Sequence, residues 1–152
     1  MGDLSSLLQA TRRVGPFDRA TGAGIVLLRV CLGALICYIH GWHKLVGGWA
    51  HVRDGAPWPL LDEIAEMGLP AAAANAWVAT IVQFVCALLL LVGYYTRLNA
   101  ALLTAVLAGA IAQNVMAGRD PQLALLYTIA VAAFVLIGAG PVSLDARRSS
   151  GG

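Results

Sequence analysis

The sequence predicts an all-α membrane protein, a bundle of four transmembrane helices with a short amphipathic helix in the first extracytoplasmic loop. Of the 152 residues, 59% are hydrophobic and 12% are charged, and the mean hydropathy is +0.77. A soluble domain carries about 25% charged residues. The apolar residues also form long blocks, and about 20 such residues are needed for a helix to cross a bilayer.

The first apolar block, residues 24–47, carries polar residues near both ends. At about 100° per residue, Arg29, His40, His43 and Lys44 fall on one face of a helix. An arginine near the centre of a spanning helix costs about 2.5–3.5 kcal/mol on insertion scales. This polar face therefore needs other helices to cover it.

A long connection, residues 48–71, follows the first helix. Trp49 and Trp58 suit the membrane interface, where an indole combines an apolar body with a polar N–H. The segment 59–68 predicts the short amphipathic helix, because a proline can open it and a glycine can end it. We expect this helix to be a surface cap rather than a substrate lid. Its carboxylates should point to water: Asp62, Glu63 and Glu66.

Three later apolar blocks predict the remaining spanning helices, over residues 76–92, 98–112 and 123–139. The short stretch at residues 93–97 makes the second and third helices an antiparallel hairpin. Small residues should let helices approach closely: Gly33, Gly41, Ala108, Gly109 and Ala112.

Polar side chains inside spanning helices are candidates for function, because their burial is costly. Gln83, Gln113 and Tyr127 are the polar exceptions of the later helices, and we expect them to converge with Arg29 inside the bundle. Alternatively, Arg29 only satisfies carbonyl groups at a helix end and joins helices together.

The outer group, His40, His43 and Lys44, faces the long connection. It could receive a quinone head or a small anion against the loop from Trp49 to Trp58, or it could only anchor the helix at the interface. The candidate ligand-binding residues are therefore Arg29, His40, His43, Lys44, Gln83, Gln113 and Tyr127.

Other chemistry finds little support in the sequence. All histidines lie in or just after the first helix, so one chain cannot supply haem ligands from two facing helices. His40 and His43 lack a third fixed ligand, and we expect no metal site. Cys31, Cys37 and Cys86 form no C-x-x-C pair, which dithiol chemistry would need. We predict no catalytic residues, and the net charge of +2 does not indicate a nucleic-acid partner.

The basic residues predict the orientation, because cytoplasmic loops are enriched in lysine and arginine. With a cytoplasmic N-terminus, the inside residues are Arg12, Arg13, Arg19, Arg97, Arg147 and Arg148, and the outside residues are Lys44, Arg53 and Arg119. We expect an inner-membrane protein with both termini in the cytoplasm. It would comprise an N-terminal segment over residues 1–21, a transmembrane domain over 22–145 and a tail over 146–152.

Three motifs, in order, resemble the DoxX family of small four-helix membrane proteins. They are Leu28-Arg29 with Gly33 and HGWHKL at 40–45, LLLLVGYYTR at 88–97, and GAGPVSLD at 138–145. One departure from the family pattern is Gln83, where the family often has a glutamate on its second helix.

The resemblance implies an accessory subunit of a membrane redox complex, because some members resemble or serve as membrane subunits of quinone-linked, thiosulfate- or thiol-oxidising systems. We expect no catalytic activity of the chain's own, and the cofactor implied is a quinone. The expected partners are the lipid bilayer and a protein, either a redox subunit or a second copy.

The alternative functions are a small-molecule transporter and a non-catalytic assembly factor for another membrane protein. A cavity joining Gln83 to Arg29 and open to lipid would favour quinone binding, one open to water would favour transport, and a filled bundle would favour the assembly factor.

Overall fold

The computed structural model describes residues 19–150 of the chain, with side chains from 20 to 148, and this part is helical without strands. Its helices are α1 (Arg19–Leu35, continued by π-helical Ile36–Trp42 and by His43–Asp54), α2 (Pro59–Glu66), α3 (Ala72–Ile81, π-helical Val82–Cys86 and Ala87–Val92), α4 (Thr96–Met116), α5 (Gln122–Ile137) and α6 (Leu144–Ser150). The predicted N-terminal segment lies outside the described residues, apart from residues 19–21, which begin α1. The predicted start of the tail, residue 146, falls inside α6.

Three helices are long and apolar enough to cross a membrane: Ala20–Asp54, Ala72–Val92 and Thr96–Met116. Helix α5 is also apolar, but it has 16 residues. At 1.5 Å per residue it is about 24 Å long, against about 30 Å for the hydrocarbon core. The all-helical membrane class is confirmed, and three to four helices are able to span.

Glycine and proline set the helix ends. The first helix is longer than predicted, since α1 continues to Asp54, so the predicted end at residue 47 is wrong and residues 48–54 of the predicted connection are helical. Helix α1 ends where Gly55 takes a left-handed conformation (φ +67°) and its N–H donates to the His51 carbonyl at 3.0 Å. Pro59 opens α2. Helix α3 ends at Gly93 (φ +72°), whose N–H donates to the Leu89 carbonyl at 3.0 Å. These caps satisfy carbonyl groups that a helix leaves unpaired at its end.

Two glycines let α1 approach α3 closely. A Cβ on Gly33 would lie 2.9 Å from the Ala87 carbonyl oxygen, and one on Gly41 would lie 2.8 Å from the Phe84 Cα. At Gly41 the π-helical segment of α1 therefore meets that of α3, backbone to backbone. The prediction of close packing is wrong for the small residues of α4, since they are exposed: Ala108, Gly109 and Ala112.

Apolar side chains from α1, α3, α4 and α5 form the main core: Leu32, Ile36, Leu90, Leu103, Leu107, Val131 and Phe134. A smaller core lies beneath α2 and contains Trp58, which is 3% exposed. Its ring packs 5.0 Å from the ring of Trp77 and against Gly48, where a Cβ would lie only 2.8 Å from the indole. The prediction of an interfacial Trp58 is therefore wrong, because the glycine opens space for the ring inside the fold.

The bundle has two distinct ends. The cap end comprises α2 and the turn at residues 117–121 between α4 and α5. The tail end comprises the turn at residues 93–95 between α3 and α4, together with residues 138–148.

Candidate functional site

Five of the seven predicted ligand-binding residues line one cavity at the cap end: His40, Lys44, Gln83, Gln113 and Tyr127. The cavity measures about 310 Å³ and lies between α1, α3, α4 and α5. This volume is at the lower limit of the roughly 300–1,000 Å³ that is usual for ligand sites. The cavity is therefore large enough for a head group rather than for a whole lipid.

The two π-helical segments place the innermost polar residues, since His40 lies in the first and Gln83 in the second. A π-helix has i→i+5 hydrogen bonds and wider turns, and such segments are frequent at functional sites. The wider turn also changes the rotation of the residues that follow. His43 accordingly points outward and is exposed, with its ring 6.2 Å from that of Tyr38. The prediction that His43 shares the polar face is wrong, because it assumed a uniform α-helix.

Lys44 and Gln83 form a hydrogen-bonded pair in the cavity wall. The Lys44 Nζ donates to the Gln83 Oε1 at 2.7 Å, and Gln83 is 1% exposed. Charge-assisted hydrogen bonds of this length are stronger than neutral ones. The pair therefore fixes the position of the ammonium group at the cavity.

His40 offers the least satisfied polar atom of the cavity. Its Nε2 is buried and finds no hydrogen-bond partner among the described residues. The ring meets that of Tyr127 edge-on, with 5.4 Å between the centroids. Three other buried side-chain atoms in the described part of the chain also lack a partner: Arg29 Nε, Trp58 Nε1 and Thr96 Oγ1. Among these four residues, only His40 lines the cap-end cavity. His40 lines the cavity with its ring, but its Nε2 is closed off, so a ligand would bond this nitrogen only after the ring turns toward the cavity.

An ion pair joins α2 to the turn beside the cavity. The Arg119 Nη1 lies 3.0 Å from the Glu63 Oε1, and both residues line the cavity together with Asp120. Glu63 is partly exposed, with 29% of its side chain accessible, and its carboxylate is turned toward Arg119 at the surface. The cavity thus contains two cationic and two anionic side chains, counting Lys44, and this balance suits a neutral polar ligand.

The predicted loop wall does not form the site. Trp49 is 64% exposed, and Trp58 belongs to the small core beneath α2. Helices α4 and α5 supply the wall opposite α1, with Leu107, Ala110 and Leu123 among its apolar residues. Sequence reasoning missed Glu63 and Arg119 as site residues, although both were expected on the same side of the membrane.

Arg29 does not join the cavity residues, so the predicted convergence is wrong for this position. Its guanidinium is 3% exposed at the tail end, where Nη1 donates to the Ala139 carbonyl and Nη2 donates to the Val142 carbonyl at 2.8 Å. This is the alternative stated for Arg29, a residue that satisfies carbonyl groups and joins helices. Gln83 therefore pairs with Lys44 and not with Arg29.

A groove of about 530 Å³ lies at the tail end, between residues 95–98 and 137–146. The charged side chains of this groove already form hydrogen bonds with backbone groups of the bundle. The Asp145 carboxylate accepts hydrogen bonds from the N–H groups of Tyr95 at 2.7 Å and Thr96 at 2.9 Å, at the start of α4. Arg97 donates to the Leu136 carbonyl at 3.3 Å. This groove is therefore part of the structural framework and not the candidate site.

The described side chains, residues 20–148, contain no group of three or more histidine, cysteine or carboxylate residues that could hold a metal ion. The three cysteines are free thiols: Cys31 is exposed, Cys37 is half-buried and Cys86 is buried. The polar cavity at the cap end is thus the best-supported site in this part of the chain.

Comparison with known proteins agrees with the motifs. The sequence model of the DoxX family matches residues 24–139, well over half of the chain. No curated protein and no solved structure matches. The matched range includes α1 from residue 24 onward, all of α3, α4 and α5, and every residue that lines the cavity. The chain therefore belongs to the DoxX family of membrane proteins.

Proposed function

We propose that the protein is an accessory subunit of an inner-membrane redox complex and that its cap-end cavity binds the head of a quinone. The observation that carries this proposal is the buried, unpartnered Nε2 of His40 beside the paired ammonium of Lys44. A quinone head is neutral and has carbonyl oxygens that accept hydrogen bonds. The balanced charges of the cavity favour such a head over a small anion.

The lining residues fit this group. Lys44 and Tyr127 are hydrogen-bond donors, and His40 can donate or accept through Nε2. Leu107, Ala110 and other apolar side chains would contact the faces of the ring. When bound, a quinone would accept electrons and protons that originate from the partner subunit. The residues of this chain would bind and orient the head and exclude water from it.

The rival functions fit the geometry less well. A transporter would need a path from the cap end to the tail end, but the core residues Ile36, Leu103 and Phe134 are fully buried and pack together across the bundle. This filled core is compatible with an assembly factor, but such a factor would need no polar cavity at the cap end. Association of the DoxX family with redox and quinone-linked complexes supports the accessory role.

The proposed topology has four spans, both termini in the cytoplasm, and α2 with the cavity on the extracytoplasmic side. The residues after α5 continue without helix through residues 138–143, and they would complete the fourth crossing. Arg97 lies at the tail end with Arg147 and Arg148, as the positive-inside rule requires. Reporter fusions at Asp54 and Arg119 should read periplasmic, and one after Asp145 should read cytoplasmic. A periplasmic C-terminus would contradict the four-span count.

The functional proposal is tested by purification from the native membrane in mild detergent. We expect the wild-type chain to co-purify with a redox subunit and with quinone. The His40→Leu variant should keep the protein partner and lose the quinone, because it replaces the imidazole that lines the cavity by an apolar side chain that cannot hydrogen-bond. A wild-type chain that comes out alone and free of quinone would contradict the proposal.

A further inference from the structure

A second cavity of about 200 Å³ adjoins the polar one, between α2, α3 and α4. Its walls are mainly apolar and include Leu60, Ile64, Met67, Val78 and Val106. Four residues line both cavities: Lys44, Gln83, Ala110 and Gln113. The hydrogen-bonded pair of Lys44 and Gln83 therefore stands where a polar chamber meets an apolar one.

We propose that this apolar cavity takes the hydrocarbon tail of the ligand whose head lies in the polar cavity. The inference rests on the proposed function and specifies the ligand class, a membrane quinone with an isoprenoid tail. The two cavities together would hold an amphiphile, with its head at His40 and the first part of its tail beneath α2.

The polar atoms of the apolar cavity do not contradict this assignment. The Asn75 Nδ2 donates to the Pro70 carbonyl at 2.8 Å, so its amide already serves the loop. The remaining polar side chains are the three at the junction with the polar cavity. The exposed residues at the rim are apolar, with Leu69 45% and Val78 57% exposed. A tail could therefore enter from the lipid through an apolar opening.

Gly109 is a position where a larger side chain can be introduced to fill this cavity without disturbing α4. It lines the cavity from α4, and a Cβ added there would meet nothing within 4 Å. Replacing a helical glycine also favours the helix. Gly24 is a matched control, because it is helical in α1, a Cβ there also meets nothing within 4 Å, and it lines neither cavity.

The experiment compares two probes on the full chain in lipid nanodiscs of fixed lipid content: a tailless methylated benzoquinone and the same ring with two isoprene units. In lipid the tail is already out of water, so it gains only packing contacts on entering the cavity. At equal concentrations of the two probes in the lipid phase, the prenylated probe should therefore bind the wild type and Gly24→Phe several-fold tighter than the tailless one. Gly109→Phe should abolish this difference and leave the affinity for the tailless probe unchanged.

The outcomes separate the tail site from the head site. Equal affinities of the two probes for the wild type, or a difference that survives in Gly109→Phe, would overturn the tail site. Binding that His40→Leu does not weaken would overturn the proposed head site, even where Gly109→Phe still removes the effect of the tail. Absence of binding by both probes would overturn both.

Discussion

Arg29 donates a hydrogen bond of 2.8 Å from its Nη2 to the carbonyl oxygen of Val142, a residue 113 positions later in the chain. The same guanidinium donates to the Ala139 carbonyl, and it packs against Gly93. The Asp145 carboxylate nearby caps the start of α4. Arg29 of the first motif therefore meets parts of the other two motifs at the tail end, where they hold α1, the α3–α4 turn and the C-terminal segment together, whereas residues 40–45 of the first motif lie at the cap end.

Replacing Arg29 by leucine should lower the melting temperature of the protein in detergent. The buried carbonyl of Ala139 would lose its partner, and an unsatisfied buried polar group costs about 1–3 kcal/mol. Arg97→Leu is the matched control, because Arg97 is exposed and holds one carbonyl at 3.3 Å. Equal melting temperatures for the two variants would show that Arg29 does not stabilise the tail end.

Gly93→Ala should destabilise the protein more than Gly55→Ala does. Both glycines have left-handed backbones, φ +72° and φ +67°, so both substitutions carry a strain of roughly 1–2 kcal/mol. A Cβ on Gly93 would also clash with the Arg29 Nη1 and would lie 2.6 Å from the Ser143 Cβ, whereas one on Gly55 meets nothing within 4 Å. Chemical denaturation of the two variants measures the difference. Equal losses of unfolding free energy in Gly93→Ala and Gly55→Ala would mean that the Arg29 side chain moves aside without an energetic cost.

Asp145 should make the stability depend on acid pH. Burial alone would raise the pKa of its carboxyl group, but hydrogen bonds from Thr96 and Tyr95, together with the charge of Arg148, outweigh burial and hold the pKa below its usual value. A lowered folded pKa stabilises the protein above the unfolded pKa of about 3.9, and this stabilisation is lost as the pH falls through the folded value.

The wild type should therefore be more stable than Asp145→Asn near neutral pH, and the difference between their melting temperatures should shrink as the pH falls below about 4. The exposed Asp62 of α2 serves as a control, since Asp62→Asn should melt like the wild type at neutral pH. A constant difference between wild type and Asp145→Asn at every pH would show that ionisation of Asp145 does not stabilise the cap of α4.

Lys44 and Gln83 should be energetically coupled. Lys44→Met alone leaves the buried Gln83 amide oxygen without its donor, at a cost of about 1–3 kcal/mol. Gln83→Leu alone leaves the half-buried ammonium without its acceptor. Replacing both partners by apolar groups should be much less costly than the sum of the single changes. Additive losses of unfolding free energy in the double-mutant cycle would contradict a functional pair.

The helices and several of their ends could be predicted from the sequence because they depend on local signals. Apolar blocks fix the helices, Pro59 begins α2 and Gly93 ends α3. The sequence predicts the end of α1 at residue 47, whereas this end lies at Asp54. The polar exceptions also identified most of the cavity, since a buried polar side chain in a spanning helix needs a partner. Gln83, Gln113 and Tyr127 do line one cavity.

The remaining features depend on tertiary contacts that no local pattern encodes. The π-helical segments occur where Gly41 meets Phe84 on another helix, and they turn His43 away from the polar face. The cap of α4 comes from Asp145, 50 residues after Tyr95 in the chain. The one local hint of this long-range cap is that Tyr95, the residue just before α4, makes no side-chain cap of its own.

The central claim is that the cap-end cavity binds a quinone head through His40. The most direct measurement is a titration of the purified full chain with the prenylated benzoquinone, comparing wild type, His40→Leu and His43→Leu. The two histidines lie three residues apart on α1, but only His40 lines the cavity. We predict that His40→Leu weakens binding by about tenfold or more, as expected for the loss of a hydrogen bond in a buried site, while His43→Leu binds like the wild type. Equal affinities of the two variants, both folded, would contradict the assignment of the cavity.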